Sequence, residues 1–310
     1  MSSDHYSEAS DLLALASSHR DTGDERDRHL AAQFAAEATV MAGTRWHRGP
    51  LALFDLETTG VDPHRDRVVT AAIVETTPGM ERPYRSSLWL IDPGIEIPES
   101  AAAIHGITTQ RAREDGACAA GAVHEIAEHL IALSRSGIPV VGHNVRFDLT
   151  MLWAELVRHG SPLAADVRWL RPVIDTMVLD KWVDPWRPKE PTKRRPDPSR
   201  CGSRRLVDTA RAYGIKVDES SAHGAEYDAL TAGRVAWQIC ELHPGATAPA
   251  VELHDVLAGL AREQAESFGA WLVKQGKPDD VSREWPWEPP PDGWSPDQLP
   301  NPTVREGVPA

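Results

Sequence analysis

Cysteine is scarce in this chain: three in 310 residues, Cys118, Cys201 and Cys240, far apart and odd in number. That excludes a disulfide framework or a Cys-based zinc site as the basis of the fold, and all three read as free thiols. Long apolar runs are also missing; no stretch reaches the roughly 18 residues that a membrane-spanning helix needs. The start, Met1-Ser-Ser-Asp-His-Tyr-Ser-Glu, has neither the basic nor the apolar region of a secretory signal, so a cytoplasmic protein is expected. Positive charge is short as well, with 33 Lys and Arg against 46 Asp and Glu and a formal net charge of −13. Such a balance works against nonspecific adhesion to nucleic acid or to an anionic membrane. A polyanionic ligand would need local basic patches or bound cations.

What is present suffices for a sizeable core: 41% of residues are hydrophobic and 25% charged. Residues 1–48 are polar with Ala-rich stretches such as His29-Leu-Ala-Ala-Gln-Phe-Ala-Ala-Glu-Ala38, and read as an N-terminal helical extension. Strands are expected over 51–57, 67–77 and 85–91, joined closely enough for an antiparallel meander. Helical patterns over 117–134 and 148–159 then alternate with short strands at 138–142 and 172–176. A meander that passes into β-α alternation predicts an α/β fold, a mixed sheet flanked by helices. Helices are expected over 225–242 and, as a C-terminal helical segment within 243–276, over 251–275. The remainder, 277–310, is a tail rich in Pro and Trp, as in Glu284-Trp-Pro-Trp-Glu-Pro-Pro-Pro291. It suits either docking on the body through Trp285 and Trp287 or holding a partner. A further stretch, 184–205, gathers Pro, Lys and Arg into the densest positive charge of the chain, and reads equally as a phosphate-backbone path or as a solvated insertion.

The first strand, Leu51-Ala-Leu-Phe-Asp-Leu-Glu-Thr-Thr-Gly60, carries two acids inside an apolar run. Their i, i+2 spacing puts Asp55 and Glu57 on one face. Buried carboxylates are costly unless cations or basic partners offset them; the plain alternative is that the strand ends there in a solvated turn. Two later motifs bear on the choice. In Gly142-His-Asn-Val-Arg-Phe-Asp148 a strand gives way to a helix, with Asp148 in the opening turn, where an acid also serves as a cap. In His223-Gly-Ala-Glu-Tyr-Asp228 a His precedes an Asp by five residues, and Ala229, Ala232, Val235, Ala236 and Ile239 mark the buried face of the helix that follows.

Taken together and in this order, Asp55-x-Glu57, Asn144-x-x-Phe147-Asp148 and His223-x-x-x-x-Asp228 resemble the three motifs of the DnaQ-like, or DEDDh, 3′-to-5′ exonucleases. That family includes the proofreading epsilon subunit of DNA polymerase III, ribonuclease T and oligoribonuclease. The resemblance spans 49–242 and takes in Glu57-Thr-Thr-Gly60, Ile104-His-Gly-Ile-Thr108, Ile174-Asp-Thr176 and Tyr213-Gly-Ile215. In the sister DEDDy type a Tyr stands four residues before the last Asp; here that position is Gly224, so the His type is indicated.

The resemblance implies a ribonuclease H-like fold and hydrolysis of DNA from the 3′ end, releasing nucleoside monophosphates. Oxygen ligands without Cys suit two Mg²⁺ or Mn²⁺ ions rather than zinc. It also implies that Asp55 bridges both ions, that Glu57 and Asp228 complete one shell, and that Asp148 serves the second. His223 is the implied general base, apt near neutral pH because histidine ordinarily titrates at about 6.5; Gly224 would leave its loop free to close over substrate. Thr58, His105, Asn144 and Phe147 are the implied substrate-side residues. For Thr58 an ordinary turn, for His105 a structural role and for Phe147 support beneath Asp148 are the plain alternatives.

The hydrolytic residues are common to DNA and RNA enzymes, so an RNA-trimming exonuclease stands as the enzymatic alternative, separable through contacts to the 2′-OH. A noncatalytic module that binds nucleic acid or protein partners is the alternative of another class. A polymerase is among the partners the resemblance suggests.

Overall fold

The computed structural model describes residues 45–298 apart from 78–79, 81–82, 186, 188–201 and 219–221. Most of the expected N-terminal extension, the centre of the basic stretch, Cys201 and the last residues of the tail lie outside the described residues.

Six strands form one mixed sheet in the order β4-β3-β2-β1-β5-β6. They are β1 (Ala52–Thr58), β2 (Val68–Thr76), β3 (Pro83–Asp92), β4 (Ala117–Cys118), β5 (Val140–Gly142) and β6 (Val173–Asp175). The meander is as expected, β1 pairing antiparallel with β2 and β2 with β3. On its other side β1 runs parallel to β5, and β5 parallel to β6. The carboxyl ends of β1, β5 and β6 therefore share one edge of the sheet, where ligand crevices form in open α/β sheets.

Alternation along β1 assigns its faces. Ala52, Phe54 and Leu56 enter one buried cluster, while Leu51 and Leu53 enter another on the opposite face. The first cluster is covered by α3 (Ala119–Arg135) and α4 (Val145–Arg158), and the second by α8 (Ala225–Leu242) and α9 (Ala250–Lys274). All five residues expected on the buried face of α8 are at most 1% exposed.

Among the described residues there are five further α-helices: α1 (Glu99–His105), α2 (Thr109–Asp115), α5 (Ala164–Val167), α6 (Thr176–Val183) and α7 (Leu206–Ala212). The Ile104-His-Gly-Ile-Thr108 segment is the junction of α1 and α2, turned by Gly106 at φ 75. Among the described residues no helix is long and apolar enough to cross a membrane. Cys118 is exposed and Cys240 buried, both as free thiols.

The tail docks on the body. Trp287 and Trp294 pack on Trp153 of α4 at 5.2 and 5.4 Å between ring centroids, and Trp285 lies on His254 of α9 at 5.0 Å. Arg146, Thr150 and Arg158 of α4 bond to Ser282, Glu288 and Pro296 of the tail. Trp294 Nε1 donates to the His64 carbonyl at 2.8 Å. The tail is thus a strap along α4.

The basic stretch is pinned at both ends. Asp180 of α6, wholly buried, accepts from Arg187, from Arg204 Nη1 at 2.6 Å and from the Tyr213 hydroxyl at 2.9 Å. Burial and the Asp180 carboxylate push the Tyr213 phenol well above its ordinary pKa.

Candidate active site

Asp55 and Glu57 extend the Leu51, Leu53 side of β1, the side that meets α8. Close approach of that helix is required to bring Asp228 in. Gly233, in its middle, permits it: a Cβ there would stand 2.6 Å from Leu53. Carboxylate oxygens of Asp55, Glu57 and Asp228 come within 4.8 Å of one another.

Asp148 arrives from the other layer. Asn144, left-handed at φ 61 and ψ 35, forms the N-cap of α4, and its N–H donates to Asp175 at 2.9 Å. Asp175, at the end of β6, also caps α6 through Met177 N–H at 2.9 Å. The cap position being Asn144, Asp148 is not an N-cap. It sits one turn into α4 and accepts from Leu56 N–H of β1 at 3.2 Å. Gly142 lets β5 and β1 close up at this point, since a Cβ would lie 2.9 Å from the Phe54 carbonyl.

Among the described residues none of these four acids has a Lys or Arg ion pair. Burial, then the carboxylates of Asp148, Glu57 and Asp228, hold Asp55 well above the usual range. Burial, then the carboxylates of Asp228 and Asp148, push Glu57 up to about 8. Asp148 is raised mainly by burial. Asp228 is raised by burial too, with His223 pulling it back, and its Oδ1 is buried without a hydrogen-bond partner. Four clustered carboxyls without a Lys or Arg partner among the described residues, one with an orphaned oxygen, are a donor set that fits hard divalent cations.

His223 is exposed in the turn before α8 with φ 67, a conformation His enters more readily than most residues. Its charge is felt at both Asp228 and His105. His105, at the end of α1, accepts from Ile107 N–H on Nδ1 at 3.1 Å, and burial lowers its pKa. The Thr58 hydroxyl donates to the Gly60 carbonyl at 2.6 Å, a local turn. Phe147 packs half-buried against the α4-side core. The structure so brings Asp55, Glu57, Asp148, Asp228, His223 and His105 to one edge. Asp175 and Gly233 build the site without lying in its three acidic motifs; Asp175 is signalled by the Ile174-Asp-Thr176 resemblance and Gly233 only by being a Gly inside a helix.

A sequence model of the RNase_T exonuclease family matches residues 53–236. The chain is 25% identical over 209 residues to a PolC-type DNA polymerase III of Pediococcus pentosaceus, covering 67% of this chain and 12% of that protein. It is 29% identical over 146 residues to a DNA polymerase III subunit epsilon-like protein of Rhodobacter capsulatus, covering 47% and 19%. The chain therefore spans under a fifth of the length of these relatives. In structure it is similar to exonuclease I of Methylocaldum szegediense, at TM-score 0.52 and 25% identity over 72% of this chain and 45% of that one. Exonuclease I of Escherichia coli with a dT13 oligonucleotide matches at TM-score 0.52 and 23% identity, over 63% and 42%. The ribonuclease H-like mixed sheet is shared with these folds, and since the match takes in every strand from Leu53 onward and all three acidic motifs, this chain belongs to the RNase_T exonuclease family.

Proposed function

We propose that the protein is a metal-dependent 3′-to-5′ exonuclease that releases nucleoside monophosphates from single-stranded or frayed DNA ends. The observation that carries the reading is the convergence of Asp55, Glu57 and Asp228 within 4.8 Å, beside Asp148 and, among the described residues, without a Lys or Arg ion pair. The exonuclease domain is assigned to 49–242, with 243–276 and the tail as additions. DNA as substrate is supported by the polymerase relatives and by the dT13 complex of the structural neighbour. Association with a polymerase is a proposal resting on the same relatives.

Asp55, Glu57, Asp148 and Asp228 would hold two Mg²⁺ or Mn²⁺ ions. When bound, such ions stabilise charge on the attacking and leaving oxygens of an in-line phosphoryl displacement. The chain's own groups do the rest. Leu56 N–H fixes the Asp148 carboxylate, and α8 presents Asp228 to the β1 acids. His223, exposed beside Asp228, takes the proton of the attacking water. His105, kept neutral by burial, and the Thr58 turn border the place where the terminal nucleotide sits.

Wild-type protein and Asp55→Ala, incubated with Mg²⁺ or Mn²⁺ and 5′-labelled DNA and RNA oligonucleotides, test this directly. The expected result is a ladder descending from the 3′ end, faster on DNA, and absent with the variant or EDTA. Intact oligonucleotides with either metal would overturn it, and a faster RNA ladder would turn the assignment to RNA.

A further inference from the structure

Beside the acidic site lies a depression whose lining extends beyond the motifs. It opens between α6, α9 and the tail, and its lining includes Asn144, Asp175, Lys181, Gln264, Phe268 and Trp285. Two of these tie it to the acidic site. Asn144 caps the helix that carries Asp148, four residues or about 6 Å of helix rise away. Asp175 is near enough for its charge to act on Asp148. Both depressions sit on the carboxyl edge of β5 and β6.

Its chemistry is that of a single-strand track. Lys181 is partly buried and, among the described residues, makes no hydrogen bond or ion pair. Burial lowers its pKa, the Asp175 and Asp180 carboxylates pull it back up, and Arg204 and Arg146 depress it further. Arg146, also in the lining, is engaged with the tail carbonyl of Ser282 at 3.1 Å. Asp175 is the acid of the lining, with Oδ1 occupied by the N–H groups of Asn144 and Met177. Phe268 is 52% exposed, and its ring stacks with that of Trp271, itself 50% exposed, at 5.8 Å and 12°. The Trp285 indole N–H is a buried donor without a partner. A partly buried cation without a hydrogen bond and an exposed aromatic face match the phosphate and base of one polynucleotide strand. The aromatic wall comes from α9 and the tail, outside the family match of 53–236.

We infer that this cleft holds the strand on the 5′ side of the nucleotide being removed, with Lys181 on a phosphate and Phe268 under a base. The inference rests on the proposed exonuclease reading for the direction of the strand.

The test is binding, which needs no hydrolysis. Fluorescence anisotropy of 5′-labelled dT16 and of an abasic 16-mer is measured in EDTA across a salt series, with wild type, Lys181→Ala, Lys181→Arg, Phe268→Ala and Phe268→Trp. Phe268→Ala is expected to weaken dT16 binding about 5- to 100-fold, to leave the abasic strand unaffected, and to be rescued by Phe268→Trp. Lys181→Ala is expected to weaken both strands and to reduce the slope of log K against log salt by about 0.7, and Lys181→Arg to restore it. Unchanged binding in both alanine variants would overturn the cleft while leaving any 3′ ladder intact. So would a wild type that fails to bind dT16, or polyglutamate competing as well as unlabelled dT16, the mark of an acidic-peptide surface. If the wild type binds and the variants do not, yet no ladder forms, the cleft stands and the hydrolytic reading falls.

Discussion

Asp148 of α4 accepts the main-chain N–H of Leu56 in β1 at 3.2 Å, so a helix on one side of the sheet holds its carboxylate over the end of a strand whose own acids face the other side. The helix and strand layers are thereby locked at the point where negative charge is densest. Holding like charges together there has consequences that can be measured.

Metal-free protein should lose stability as pH rises. Glu57 titrates near 4.5 in an unfolded chain and at about 8 when folded. A carboxyl raised on folding contributes stability that is complete below the unfolded value and lost as pH climbs through the folded one. Melting in EDTA between about pH 5 and pH 9 should show a falling Tm, flattened in Glu57→Gln. Mn²⁺ should raise Tm more at pH 8 than at pH 5; a Tm that rises with pH in EDTA contradicts this.

His223→Ala should lower kcat by roughly 10²- to 10⁴-fold, the usual worth of a general base. The thermal shift produced by Mn²⁺ should persist, because the four acids remain. Loss of the shift together with activity would assign His223 to holding the site rather than to proton transfer.

Asp180→Ala should destabilise the fold by about 3–5 kcal/mol, since buried Arg187 would keep only the more exposed Asp184 and Arg204 would lose its carboxylate partner. Urea unfolding is the measurement. A change below about 1 kcal/mol would mean that the pair forms no part of the folded core.

Trp294→Ala removes a ring contact to Trp153 and the bond to the His64 carbonyl. A cost of about 1–3 kcal/mol is expected, with faster proteolysis of the tail after Gln275. Unaltered cleavage kinetics would show that the tail is held without this residue.

Much of this architecture is written in short-range pattern. Period-two apolar residues mark β1 to within a residue or two, and helical spacing marks α8 from Ala225 to Leu242. The acids of β1 are legible because the same period puts them on one face. What stays hidden depends on contacts between distant segments. Nothing near Asp148 announces Leu56 N–H as its partner, and nothing near Asp180 announces Arg187 and Arg204. The short helices α1, α2 and α7 escape because seven residues give too little periodicity to distinguish from turns. The Trp-rich tail suits docking or a partner equally until its target, Trp153, is seen.

The strap along α4 also sets an order of events during synthesis. Its bond from Trp294 reaches a residue 230 positions earlier, and those from Arg158 and Arg146 span 138 and 136. A ribosome delivers the N-terminal side first and lets it fold as it emerges. Until residues 282–296 have emerged, Trp153, Arg146 and Arg158 of α4 lack these partners on an otherwise completed sheet. The nascent protein therefore passes through a stage in which an indole on the helix bearing Asp148 is uncovered, and the tail acts as its late-arriving cover.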